Sequence, residues 1–169
     1  AICLAAPFEF GLQPLAEDSK YRADGFTKYT EVIAPNGKVI PIIAQKGVRD
    51  IAVARARNLL KFFLTDVPDS KYGSDKSGVA NAMANNHAML MMPEGAHREG
   101  KEPEIEAQPL FESETPVDGS NWYIKNNWEH RDAAFEEIFH LVHDAGIGTY
   151  MRGALPAYQR ELKAEAIKS

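Results

Sequence analysis

Asp132, Glu136, His140 and His143 follow one another at offsets of four, four and three residues, with Glu137 beside Glu136. On an α-helix turning by about 100° per residue, these four side chains form one row. Neighbours in such a row sit about 5–6 Å apart at Cβ, close enough to converge on a single ion. A carboxylate and a neutral imidazole one turn apart suit zinc or a similar divalent metal. A metal lowers the pKa of a water it binds, and a further carboxylate can accept the released proton. Glu136 and His140 are therefore the candidate ligands and Glu137 the candidate general base. His143, Asp144 or a residue from elsewhere would complete the set. The same row also fits plain solvation. An amphipathic helix collects its polar residues on one side, Glu136 and His140 form an ordinary i,i+4 pair, and a histidine near a helix C-terminus complements the dipole.

The elements that must hold these residues can be read from periodicity. Phe135, Ile138, Phe139, Leu141 and Val142 share the opposite, apolar face of a helix expected from Arg131 to Asp144. Gly146 and Gly148 are its stop signals. Upstream, residues 26–45 place apolar and β-branched runs on both sides of Pro35-Asn36-Gly37, a strong hairpin signal because Asn and Gly both tolerate positive φ. Pro41 cannot donate to a ladder, which favours an edge position for the second strand. Residues 50–64 read as a helix capped by Asp50 and interrupted in its apolar period by Arg55, Arg57 and Lys61. A short helix is expected over 79–86, a buried strand over 87–92 and a last helix over 156–166, with proline in its first turn.

The intervening segments are less regular. Residues 1–25 read as an extended lead-in and 93–120 as a long acidic loop able to cover a cleft. Asp66, Asp69 and Asp75 sit in a turn-forming stretch, but without the spacing or closing glutamate of a calcium loop. His87, His97 and His130 read as structural, exposed or capping residues. Met83, Met89, Met91 and Met92 fill core gaps. Trp122, Tyr123 and Trp128 belong to an aromatic core or a cleft wall.

Composition bounds the rest. The 169 residues fit one domain, 1–169, of ordinary globular make-up, 44% hydrophobic and 25% charged. A chain of this size needs no metal to hold its fold, so a metal would serve function. The net charge of −5 and dispersed basic residues argue against a nucleic-acid partner. The single cysteine, Cys3, excludes an internal disulfide and a cysteine zinc ribbon. No apolar run is long enough to span a bilayer. Residues 1–6 (AICLAA) fit the tail of an export signal, which favours a secreted or periplasmic location over a cytoplasmic one.

Glu136-Glu137-Ile138-Phe139-His140 resembles the H-E-x-x-H helix of zincin-class zinc metallopeptidases, with glutamate in place of the first histidine. The resemblance implies His140 and Glu136 as zinc ligands, Glu137 as general base and an α+β fold. That fold would be a small, mostly antiparallel sheet, made of the hairpin and an edge strand, packed with several helices. It further implies that residues 87–92 are the edge strand holding a substrate main chain. A glutamate on the last helix, Glu161 first, would mimic the branch of the family that uses glutamate as third ligand. The extended H-x-x-G-x-x-H form is absent, since His143 stands where its glycine would be. Two functions follow as expectations: a zinc-dependent hydrolase acting on a peptide or protein, or a non-catalytic interaction domain whose metal site is structural, vestigial or absent.

Overall fold

Residues 26–33 alternate between buried and more exposed positions, as a strand with one face on a core must. The computed structural model describes residues 10–96, 103–117, 132–148 and 152–168. Five strands form one sheet in sequence order: β1 Gln13–Pro14, β2 Phe26–Ile33, β3 Val39–Gln45, β4 Leu90–Met92 and β5 Gln108–Pro109. β1, β2 and β3 pair antiparallel, while β3, β4 and β5 pair parallel. Among the described residues four α-helices accompany them: α1 Asp50–Phe63, α2 Ser77–Asn85, α3 Ala134–Val142 and α4 Pro156–Lys168. The fold class is α+β.

The β2–β3 hairpin turns at Pro35-Asn36-Gly37, but with a three-residue loop rather than a two-residue one. Gly37 alone adopts positive φ, at 79°. The Gly37 amide donates to Ala34 O at 2.9 Å and the Ala34 amide to Lys38 O at 2.8 Å. Asn36 stabilises the loop through its side chain, whose Oδ1 accepts from the Lys38 amide at 3.0 Å. A left-handed glycine closing a three-residue hairpin loop is a standard solution to strand twist.

Two expectations about edges are corrected. β3 is an inner strand despite Pro41. Its ladder with β4 begins only at Ile42, so the proline sits outside it. β4 is also an inner strand, flanked by β3 and β5, and Leu90, Met91 and Met92 are all buried. Burial on both faces is what a continuous apolar run in a parallel ladder demands. The borders of the sheet are instead two short Gln-Pro strands, β1 and β5. Leu15 N bonds to β2, and Gln108 N and Leu110 N bond back toward β4. Pro14 and Pro109 therefore face outward, where neither has an N–H to present.

One face of the sheet carries the main core. Ile40, Ile42, Ala44, Leu90 and Met92 pack there with Ala56 and Leu60 of α1, Met83 of α2 and Ile138 of α3. The other face holds Leu15, Phe26, Ile43, Met89 and Met91, backed by Tyr21, Tyr29 and Ile105. The residues read as lead-in and acidic loop thus contain strands and core residues of their own. Asp50 is not the residue that precedes α1. The helix begins on Asp50 itself, and its carboxylate pairs with Lys28 of β2 at 2.6 Å.

α3 ends in a widened turn, His143–Ile147, closed by Gly148 at φ 112°. Gly146 in this turn presses against α2. A Cβ there would stand 2.7 Å from Met83 Cγ, 2.8 Å from Val79 Cγ1 and 3.1 Å from Val79 O. Gly146→Ala is expected to destabilise the protein by about 2 kcal/mol, lowering the thermal midpoint by roughly 4–8 °C. An unchanged melting curve would show that α2 and the turn are not in register as described.

Candidate functional site

α3 takes its position from Ala134, Ile138, Leu141 and Val142, all buried against α1 and the sheet. Phe135 and Phe139, expected on that buried face, lie at its rim. They are partly exposed and their rings pack 5.9 and 5.7 Å from the ring of Phe63 on α1. This leaves Glu136 and His140 on the outward side, their side chains 47% and 51% exposed, with Nε2 and Oε1 3.9 Å apart. Two donors on one tetrahedral zinc are about 3.4 Å apart at ordinary bond lengths. A small rotamer change would bring this pair to that spacing.

The other members of the row are drawn elsewhere. Asp132 makes a two-pronged ion pair with Arg55 of α1, at 3.0 and 2.5 Å, and its Oδ1 also accepts from the Ala134 amide at the helix start. His143 stacks on Phe139, ring centroids 5.6 Å apart and 12° from parallel. The side-chain amide of Gln159 on α4 donates to its Nε2 at 2.5 Å. Glu161 accepts from Lys71 Nζ and from the Tyr72 hydroxyl, both at 2.6 Å. Lys71 first, and Tyr72 after it, hold the Glu161 carboxyl below the usual carboxylate range. Tyr72 also packs edge-on against Tyr158, so this contact fastens α4 to the turn at 65–77. Among the described residues, no three His, Cys, Asp or Glu side chains are grouped so as to hold a metal.

Glu137 points to a different neighbour. Its Oε2 accepts from Gln108 Nε2 of β5 at 2.8 Å, tying the candidate base to the sheet border. Gln108 and Arg55 both shape the site, and neither stood out in the sequence. Gln108 lies inside the segment read as a loop, and Arg55 reads only as a break in the apolar period of α1.

Beyond Gln108 opens a cleft of about 940 Å³. It lies between β5 with the residues before it, the end of α2 and the turn after α3. Asp144 lines it, so the carboxylate considered as a further ligand faces this cleft. His87 lines it as well, exposed and held at φ 57°. The aspartates at 65–77 support local turns: Asp66 accepts from the Lys76 amide and Asp75 from the Ser77 amide. Cys3, His97, Arg98, Trp122, Tyr123, Trp128, His130 and Arg131 lie outside the described residues.

No known protein family, curated protein or solved structure matches the chain.

Proposed function

We propose that α3 carries a divalent-metal site and that the protein is a hydrolase, acting most naturally on peptide bonds. The observation that supports this is the Glu136–His140 pair, 3.9 Å apart on an open helix face, with Glu137 one position away and tethered to β5. Glu136 and His140 would hold zinc. A third donor would come from His143, from Glu161 once it leaves Lys71, or from outside the described residues. Bound zinc supplies Lewis acidity and a water acidic enough to ionise near neutral pH. Glu137 would accept a proton from the attacking water and return it to the leaving amine, and Gln108 holds the carboxylate orientation through its amide N–H. The nearest sheet border has no outward N–H at Pro109, so a substrate would take its register from side-chain contacts rather than as an added strand.

The test is elemental analysis of purified, untagged protein, with Glu136→Ala and His140→Ala beside it. About one equivalent of zinc, lost in both variants, is expected for a site built on this pair. Protein that holds no metal after incubation with zinc would overturn the enzyme reading.

A second reading is a non-catalytic interaction domain with a solvated or vestigial row. It is favoured by the partners of Asp132, His143 and Glu161, which leave two donors side by side rather than three. Under it, Glu137→Gln changes nothing measurable, and His140→Ala either loosens a vestigial metal or has no effect.

A further inference from the structure

The cleft beyond Gln108 has a chemistry of its own, distinct from the row on α3. Its floor is apolar, formed by Ala88 and Met89 ahead of β4 and Leu141 of α3. Its rim is acidic: Asp24 from the turn before β2, Glu104 and Glu106 ahead of β5, and Asp144 after α3. Against these four carboxylates the described lining residues include one ammonium, Lys20, whose Nζ sits 5.0 Å over the Tyr21 ring. The volume of about 940 Å³ lies at the upper end of what ligand pockets enclose, enough for several side chains.

Field lines from like charges concentrate in a concave site with low-dielectric walls, so this rim attracts cations more strongly than the same carboxylates would on a flat surface. The wall also alternates. Glu104 and Glu106 are exposed, while Ile105 and Ala107, each following one of them, are partly buried and also line the cleft. A ligand that matches both features has apolar groups for the floor and positive charges for the rim, repeated along its length. An extended chain whose side chains alternate in direction has that pattern.

We propose that this cleft binds an extended basic peptide segment, its apolar residues on the Met89–Leu141 floor and its lysine or arginine side chains against the rim carboxylates. The proposal stands whether or not α3 holds a metal.

The test is fluorescence anisotropy with a short labelled peptide of alternating lysine and leucine, and with its glutamate–leucine counterpart. It is run in the presence of a chelator so that metal chemistry cannot contribute. Saturable binding of the lysine peptide and none of the glutamate peptide is expected. Glu104→Gln/Glu106→Gln should weaken binding by about tenfold, and Asp144→Asn should weaken it separately. The charge-matched variant Asp69→Asn/Glu165→Gln, also at exposed positions, should stay within about twofold of the unmodified protein. Equal weakening by both double variants would overturn the site, since the chain's overall negative charge would then account for the binding. Failure to saturate, or binding of both peptides alike, would overturn it as well.

Discussion

If the protein is the zinc hydrolase proposed above, Glu137→Gln is expected to cut hydrolysis of a quenched-fluorescent peptide library by about 10²–10⁴-fold in zinc-loaded protein, with zinc content and melting temperature unchanged. The substitution removes the basic oxygen and keeps the shape. Gln108 Nε2 now donates to a carboxylate oxygen of Glu137 at 2.8 Å, and a glutamine carbonyl can accept the same bond. The half-buried position on α3 is kept, and Glu136 and His140 are untouched. Loss of activity with the metal retained would assign the proton transfer to Glu137. Activity within a few-fold of the unmodified protein would place the base elsewhere. A companion variant, Gln108→Leu, separates positioning from proton transfer. It leaves the base in place without its tether, so the rate should fall less and the pH profile should shift.

The second large effect concerns stability. Asp50→Ala is expected to lower the unfolding free energy by about 3 kcal/mol, or roughly 6–12 °C in thermal midpoint. Lys28→Met should cost about 1 kcal/mol or less. Lys28 is buried in the middle of β2, and its ammonium donates to Val48 O and to Asp50 Oδ1. Removing the aspartate leaves a buried cation with one carbonyl for company. Removing the lysine places an apolar side chain of similar length against the core and leaves Asp50 in the first turn of α1, partly exposed, where the helix dipole favours a carboxylate. The asymmetry is the diagnostic. Comparable losses from the two variants would mean that the pair is hydrated rather than buried.

The hairpin, α1, α3 and α4 were legible because each writes a period or a turn signal into a short window. Phe26–Ile33 is rich in aromatic and β-branched residues, Pro35-Asn36-Gly37 marks the turn, and Ile138, Leu141 and Val142 mark one helix face. β5 was not legible, since a two-residue strand containing Pro109 within an acidic, proline-rich stretch has no period to show. The placement of β4 inside the sheet depends on β5 and was hidden for the same reason. In the candidate site, the i,i+4 spacing of Glu136 and His140 carried directly into geometry, because a helix fixes such neighbours by itself. What becomes of Asp132, His143 and Glu161 is set by residues 77, 16 and 90 positions away: Arg55, Gln159 and Lys71. Nothing in a local pattern announces those partners. A row of four ligands on a helical wheel therefore became a pair.

The two Gln-Pro borders have a consequence for how copies of this chain meet. An open sheet border normally offers a ladder of donors and acceptors that a strand from another molecule can adopt, which is the first step toward fibrils. Here each border is two residues long, and its outward-facing residue is a proline with no proton to give. A visiting strand would find a carbonyl at Pro14 or Pro109 and no matching donor, so the ladder would miss alternate rungs from its first residue. The apolar inner strands β3 and β4, rich in Ile and Met, are the segments that most need such shielding. At high concentration the folded chain should therefore resist edge-to-edge growth, and its weak moments are those in which β1 or β5 has peeled away.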